Sequence, residues 1–211
     1  MTNIVTPYQH DSDGGELIYA LRAAQRYINN PYWICVGDEP PGVKPDKYVP
    51  YQRCTDNRHK ERNIFEKLLA AEVDGDFVTL YDDEILLATF NSMPVTIPWP
   101  DWGTYRYTVE NTRKLFPYAV NYDRHYPMLM NAQRLEVLRG YDWPDYGYCI
   151  KSLYGNHYCL PHVVGEDVKV RIVPVQEPWQ SWPGVSTSEF SFADIKKELN
   201  LLYTNKSRWE I

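Results

Sequence analysis

The stretch FVTLYDDEILL, residues 77–87, decides how this chain is read. An apolar run, Phe77 to Tyr81, leads directly into three acids, Asp82, Asp83 and Glu84. Such a run, rich in aromatic and β-branched side chains, is what a strand buried on both faces presents. Adjacent carboxylates repel one another unless solvent or a cation relieves them. In an open α/β sheet, ligands collect at the carboxyl ends of the strands, which is where these acids fall. A hard cation such as Mg²⁺ or Mn²⁺ takes one or two carboxylates and completes its shell with phosphate oxygens. Asp82, Asp83 and Glu84 are therefore candidate metal ligands, with Asp82 and Glu84 spaced as D-x-E. The competing reading is a solvated acidic turn.

Upstream, the chain alternates strands and helices. NIVTP, residues 3–7, reads as a short buried strand closed by proline. Asp13 can cap the helix ELIYALRAAQRYINN, in which Leu17, Ile18, Leu21, Ala24 and Ile28 recur at helical spacing. Asn29-Asn30-Pro31 ends it. YWICVGD, residues 32–38, is a second doubly buried strand, and residues 48–52 are a short one after a proline-rich loop. Asp56 or Asn57 can cap a helix over 58–72, and Asp74-Gly75-Asp76 turns the chain into FVTLY. This alternation predicts an α/β fold, a mostly parallel sheet flanked by crossover helices.

Downstream the pattern is less regular. Residues 91–108, dense in proline and aromatics, read as loops with an antiparallel hairpin. Helices are expected over 131–139 and 146–154, and a strand at VKVRIV, 168–173. Ser191 can cap a last amphipathic helix, FADIKKELNLLY, followed by the tail TNKSRWEI. Neither a repeat nor a domain boundary stands out, so residues 1–211 are read as one domain with an aromatic-rich second half.

Composition narrows the classes. A 44% hydrophobic content is enough for a core. The net charge of -6 disfavours a dedicated duplex-DNA binder. No run of about 18 apolar residues predicts a membrane span, and the N-terminus lacks the pattern of a secretory signal, so a cytoplasmic location is expected. Cys35, Cys54, Cys149 and Cys159 form no C-x-x-C pair and read as reduced structural thiols. The 18 tyrosines and 7 tryptophans suit stacking on sugars or bases, and equally an ordinary core.

The order NIVTP, ELIYALRAAQRYI, YWICVGDEP, the Arg62-Asn63 pair and FVTLYDDEILL resembles a GT-A glycosyltransferase, with a DxD-like motif after the acid-bearing strand. Residues 16–40 are also similar to Stealth-type sugar-phosphate transferases, as is DRHYPMLMNAQRL. KSLYGN and the terminal SRWE resemble segments of small phage-encoded proteins of this type. Glu84 stands where the family has a second aspartate.

The resemblance implies a nucleotide-sugar half over 1–90, an acceptor side over 91–185, and a C-terminal helix and tail over 186–211. It implies a nucleotide-sugar donor, UDP-linked, with Mn²⁺ or Mg²⁺, and an acceptor that is a glycan or a modified nucleic-acid base of a phage. Thr6 to Tyr8 would flank the nucleobase, Asp38 would approach base or ribose, and Arg58, Arg62 and Asn63 would face the nucleotide beside Asp82. His157 would be a late metal ligand. His125, with Asp123 near, is the candidate catalytic base, and Asp142 and Asp145 are further candidates. His10, His59, His162 and Lys169 read as surface residues. Residues 99–107, with Arg106, Arg113 and Lys114, are a possible wall for a nucleic-acid acceptor. The alternatives are a Stealth-like sugar-phosphate transferase, which releases a nucleoside monophosphate, and a non-catalytic binding module on the same fold.

Overall fold

The first strand–helix–strand unit forms as expected: β1 (Thr2–Tyr8), α1 (Leu17–Tyr27) and β2 (Pro31–Gly37), with β1 and β2 parallel over their whole length. The computed structural model describes residues 1–10, 14–52, 60–97, 99, 104–122, 125–141, 148–164, 184–186 and 192–211. The expected caps at Asp13, Asp56 or Asn57 and Ser191, and the expected strand at 168–173, lie outside these residues.

β3 (Lys47–Pro50), α2 (Lys60–Ala70) and β4 (Asp76–Thr79) make the second unit. β8 (Met128–Asn131) joins the sheet, whose order among the described residues is β3-β2-β1-β4-β8. The first four strands are parallel and β8 runs antiparallel to β4. The sheet is thus mixed and mostly parallel, with helices on both faces.

Strand alternation divides the core. Ile4, Trp33, Cys35 and Val78 face one side, packed with α1 and with α6 (Phe192–Leu202). Val5, Ile34, Val36 and Phe77 face the other, packed with α2, α4 (Ala132–Val137) and α5 (Ile150–His157). α6 sits against α1: Tyr19 lies edge-on to Phe192 at 5.8 Å and donates from its hydroxyl to Asn200 Oδ1 at 2.7 Å.

Among the described residues, the second half also holds two short sheets. β5 (Glu84–Leu86) pairs antiparallel with β10 (Gly184–Ser186). β6 (Val95–Ile97) lies between β7 (Asn121–Tyr122) and β9 (Val163–Val164).

Two expectations are corrected. Residues 104–108, expected within the loops and hairpin of 91–108, are instead the start of α3 (Thr104–Leu115). Its buried positions include Thr108 and Thr112, four apart, so polar side chains occupy the inward stripe and hide the helical period. Arg113 and Lys114 in the last turn complement the helix dipole. The second correction is the C-terminal tail, which is part of the core. Trp209 is buried, edge-on to Trp33 at 5.8 Å, and its indole N–H donates to Asp46 at 2.8 Å. Glu210 pairs with Arg22 at 2.6 Å, and the Ile211 N–H donates to the Gly42 carbonyl.

Candidate functional site

The connection from β1 leads to β2 on one side, and the chain returns from β3 to β4 on the other. The strand order therefore reverses between β1 and β4, the switch point at whose carboxyl edge open α/β sheets form a crevice. Pro7 lies beyond the last β1–β4 residue pair, where a missing N–H costs β4 no ladder bond.

The acid turn sits at this edge. β4 ends at Thr79, although Leu80 N–H still bonds the Val5 carbonyl. Tyr81 N–H donates to Glu84 Oε2 at 2.9 Å and Glu84 N–H to the Tyr81 carbonyl at 3.2 Å, closing the turn on itself. Asp82 and Asp83 are half-buried. Glu84 departs from the expectation of three acids at one edge: it is wholly buried and accepts from the equally buried Lys151 of α5. Burial pushes its carboxyl up to about 8, against the opposing pull of Lys151.

Asp83 has different company. Its Oδ2 accepts from Ser186 Oγ at 2.8 Å and lies 3.5 Å from His125 Nδ1. Burial raises this carboxyl, but His125, Ser186 and Lys151 outweigh it and hold it below its ordinary value. His125, expected in a strand-like segment, lies in the turn between β7 and β8, with its ring about a quarter exposed at 24%. The structure brings together two residues the sequence singled out separately, and Ser186 lies between them.

A second cluster lies at the ends of β1 and β2. Gly37 has φ +130°, and a Cβ there would stand 2.1 Å from the Tyr8 carbonyl oxygen. Lys67 of α2 fills the neighbouring space and donates to that carbonyl at 2.6 Å. Exposed Asp38 accepts from the His10 N–H at 2.9 Å, tying the two loops together. Burial pushes the Cys35 thiol up to about 12, with Lys67 opposing and Asp38 and Asp82 adding to the rise. All three charges thus act on one buried group.

Other expected positions fall elsewhere. β1 runs through Tyr8, so Thr6 and Tyr8 are in-strand and fully buried rather than in a loop flanking a base. Thr6 Oγ1 accepts from the Trp33 indole at 3.1 Å. Arg62 is half-buried and Asn63 buried in the first turns of α2. His157 ends α5, about 9 Å along the helix from Lys151. It is hydrogen-bonded to Tyr141 and ringed by Phe116 and Tyr158, in place of the acid turn. Arg106 is paired with Glu110 on the exposed face of α3. Arg58, Asp123, Asp142 and Asp145 lie outside the described residues.

Sequence reading missed Lys151, Lys67 and Ser186. Lys151 and Lys67 are lysines within apolar helix stretches, a pattern that marks a buried cation in need of acceptors. Ser186 carries no local signal.

No protein-family model matches the chain, and no curated protein matches it either. Among the described residues, no helix is long and apolar enough to cross a membrane.

Proposed function

We propose that this chain is a metal-dependent glycosyltransferase of GT-A type, acting at the carboxyl ends of β1, β2 and β4. The observation that carries the reading is the link from His125 through Ser186 to Asp83, which sets an imidazole against the acid turn. The sheet order, with parallel neighbours and an antiparallel strand beside the acid-bearing one, supports it further.

The donor is a UDP-sugar, held with its base towards Asp38 and its diphosphate towards Asp82 and the start of α2, where Arg62 and Asn63 stand. The acceptor is a glycan or a modified nucleic-acid base. Among the described residues no three His, Cys, Asp or Glu side chains form a metal cage. Asp82 and Asp83 fit a Mn²⁺ or Mg²⁺ ion that draws its other ligands from phosphate oxygens. Such an ion supplies neutralisation of the charge that builds on the leaving diphosphate. His125 takes the proton of the acceptor hydroxyl as the new carbon–oxygen bond forms and the bond to the diphosphate breaks with its electron pair. Asp83, beside the ring, stabilises the imidazolium that results.

Glu84 favours a second reading. Its burial leaves two acids at the edge, which also suits a non-catalytic module that binds a glycan or nucleotide.

A thermal-shift titration with nucleoside diphosphates and nucleotide-sugars, with and without Mn²⁺, tests the proposal. Stabilisation of about 2.7 kcal/mol is expected at a hundredfold excess over Kd, dependent on metal and lost in Asp82→Ala. Donor hydrolysis or transfer separates enzyme from module. A folded protein that responds to no nucleotide would sink the transferase reading.

A further inference from the structure

Ser186 reaches the acid turn because β10 pairs antiparallel with β5, which sets Ser186 opposite Glu84 and next to Asp83. The serine is buried, and its Oγ stands 2.8 Å from Asp83 Oδ2 and 3.0 Å from His125 Nδ1. Three polar atoms meet here, and one arrangement satisfies the donor–acceptor capacities of all three. An ionised carboxylate only accepts, so the single hydroxyl proton of Ser186 goes to Asp83. The serine oxygen is then an acceptor towards His125. A lone pair on Nδ1 would face both that oxygen and the charge of Asp83, so Nδ1 carries a hydrogen. The bond made by one ring nitrogen decides the state of the other.

We propose that Ser186 is a positioning residue that, with Asp83, holds neutral His125 in the Nδ1–H form, so that Nε2 carries the lone pair and receives the acceptor's proton. The final clause rests on the transferase reading; the tautomer itself does not. In water the imidazole of histidine favours the opposite form, so the site has to impose this one. Direct support from Asp83 would not suffice, because 3.5 Å is longer than a good N–H···O bond.

The test is nitrogen NMR on the whole chain with ¹⁵N-histidine, above the pH at which histidines titrate. His125 is assigned by the signals missing from His125→Gln. Pyrrole-type Nδ1 and pyridine-type Nε2 are expected for His125; the reverse pattern overturns the proposal. Ser186→Ala should move His125 towards a mixture of both forms, and Ser186→Thr, which keeps the hydroxyl, should retain the wild-type pattern. An unchanged tautomer in a folded Ser186→Ala protein removes Ser186 from the role, and should that variant not fold, the wild-type spectrum still decides the tautomer. The expected tautomer together with no nucleotide-dependent thermal shift would leave this geometry standing and defeat the transferase reading alone.

Discussion

The Lys151 ammonium donates to the Glu84 carboxyl, 67 residues away in the chain, with neither side chain exposed. The same ammonium donates to the Tyr126 carbonyl at 2.6 Å and lies 4.3 Å from the centre of the Tyr81 ring. Tyr81 adjoins Asp82, Glu84 adjoins Asp83, and Tyr126 adjoins His125. One buried charge therefore holds both segments that carry the candidate site.

Replacing Lys151 by Met leaves the Glu84 carboxyl and the Tyr126 carbonyl without that donor inside the core. A loss of about 1–3 kcal/mol is expected in urea unfolding. The histidine NMR signals of His125 should shift as its turn loosens. A loss below about 1 kcal/mol, typical of an exposed pair, would mean that the pair does not anchor the turn.

Glu84 also sets a pH dependence. Its carboxyl is raised from 4.5 to about 8 in the fold, so the native state keeps a proton that the unfolded chain has released. Its contribution is fully present below pH 4.5 and is lost as pH rises towards 8. Wild-type stability should therefore fall across that window more steeply than that of Glu84→Gln, by up to about 1.4 kcal/mol per pH unit. Parallel curves in urea titrations from acid to neutral pH would show that Glu84 is ionised throughout.

Gly37→Ala places a methyl group 2.1 Å from the Tyr8 carbonyl oxygen, at a φ that only glycine adopts without strain. The expected cost is about 2 kcal/mol or more, read as a lowered thermal midpoint. An unchanged midpoint would mean that β1 and β2 can separate freely at their carboxyl ends.

Trp209→Ala empties the space against Trp33 and removes the donor to Asp46. Guanidinium unfolding should show a loss of about 3–5 kcal/mol. Tyr118→Ala, at a residue 97% exposed, should leave stability unchanged. Equal effects from the two substitutions would mean that residues 204–211 add nothing to the core.

The first half of the fold was legible because its signals are local. Leu17, Leu21 and Ala24 repeat at the helical period, and the apolar run of β2 needs no partner to be recognised. The acid turn was legible for the same reason, as three acids at the end of such a run. α3 was not, because Thr108 and Thr112 occupy its inward face. The C-terminal tail was not, because its polar residues find their partners, Arg22 and Asp46, more than 160 positions away.

Local periodicity by itself determined that this chain builds an α/β sheet with acids at a carboxyl edge, since hydrophobic pattern and strand length act over a few residues. Which way each acid turns was decided by the tertiary structure. Glu84 faces inward because a helix from far along the chain delivers Lys151 to it, and burying a carboxyl group is tolerable only beside such a donor. Asp83 stays half-buried at the edge because β10 delivers Ser186, and the turn after β7 delivers His125, to that side. Neighbours in sequence thus took opposite electrostatic roles, set by which distant polar group reached each one first in space.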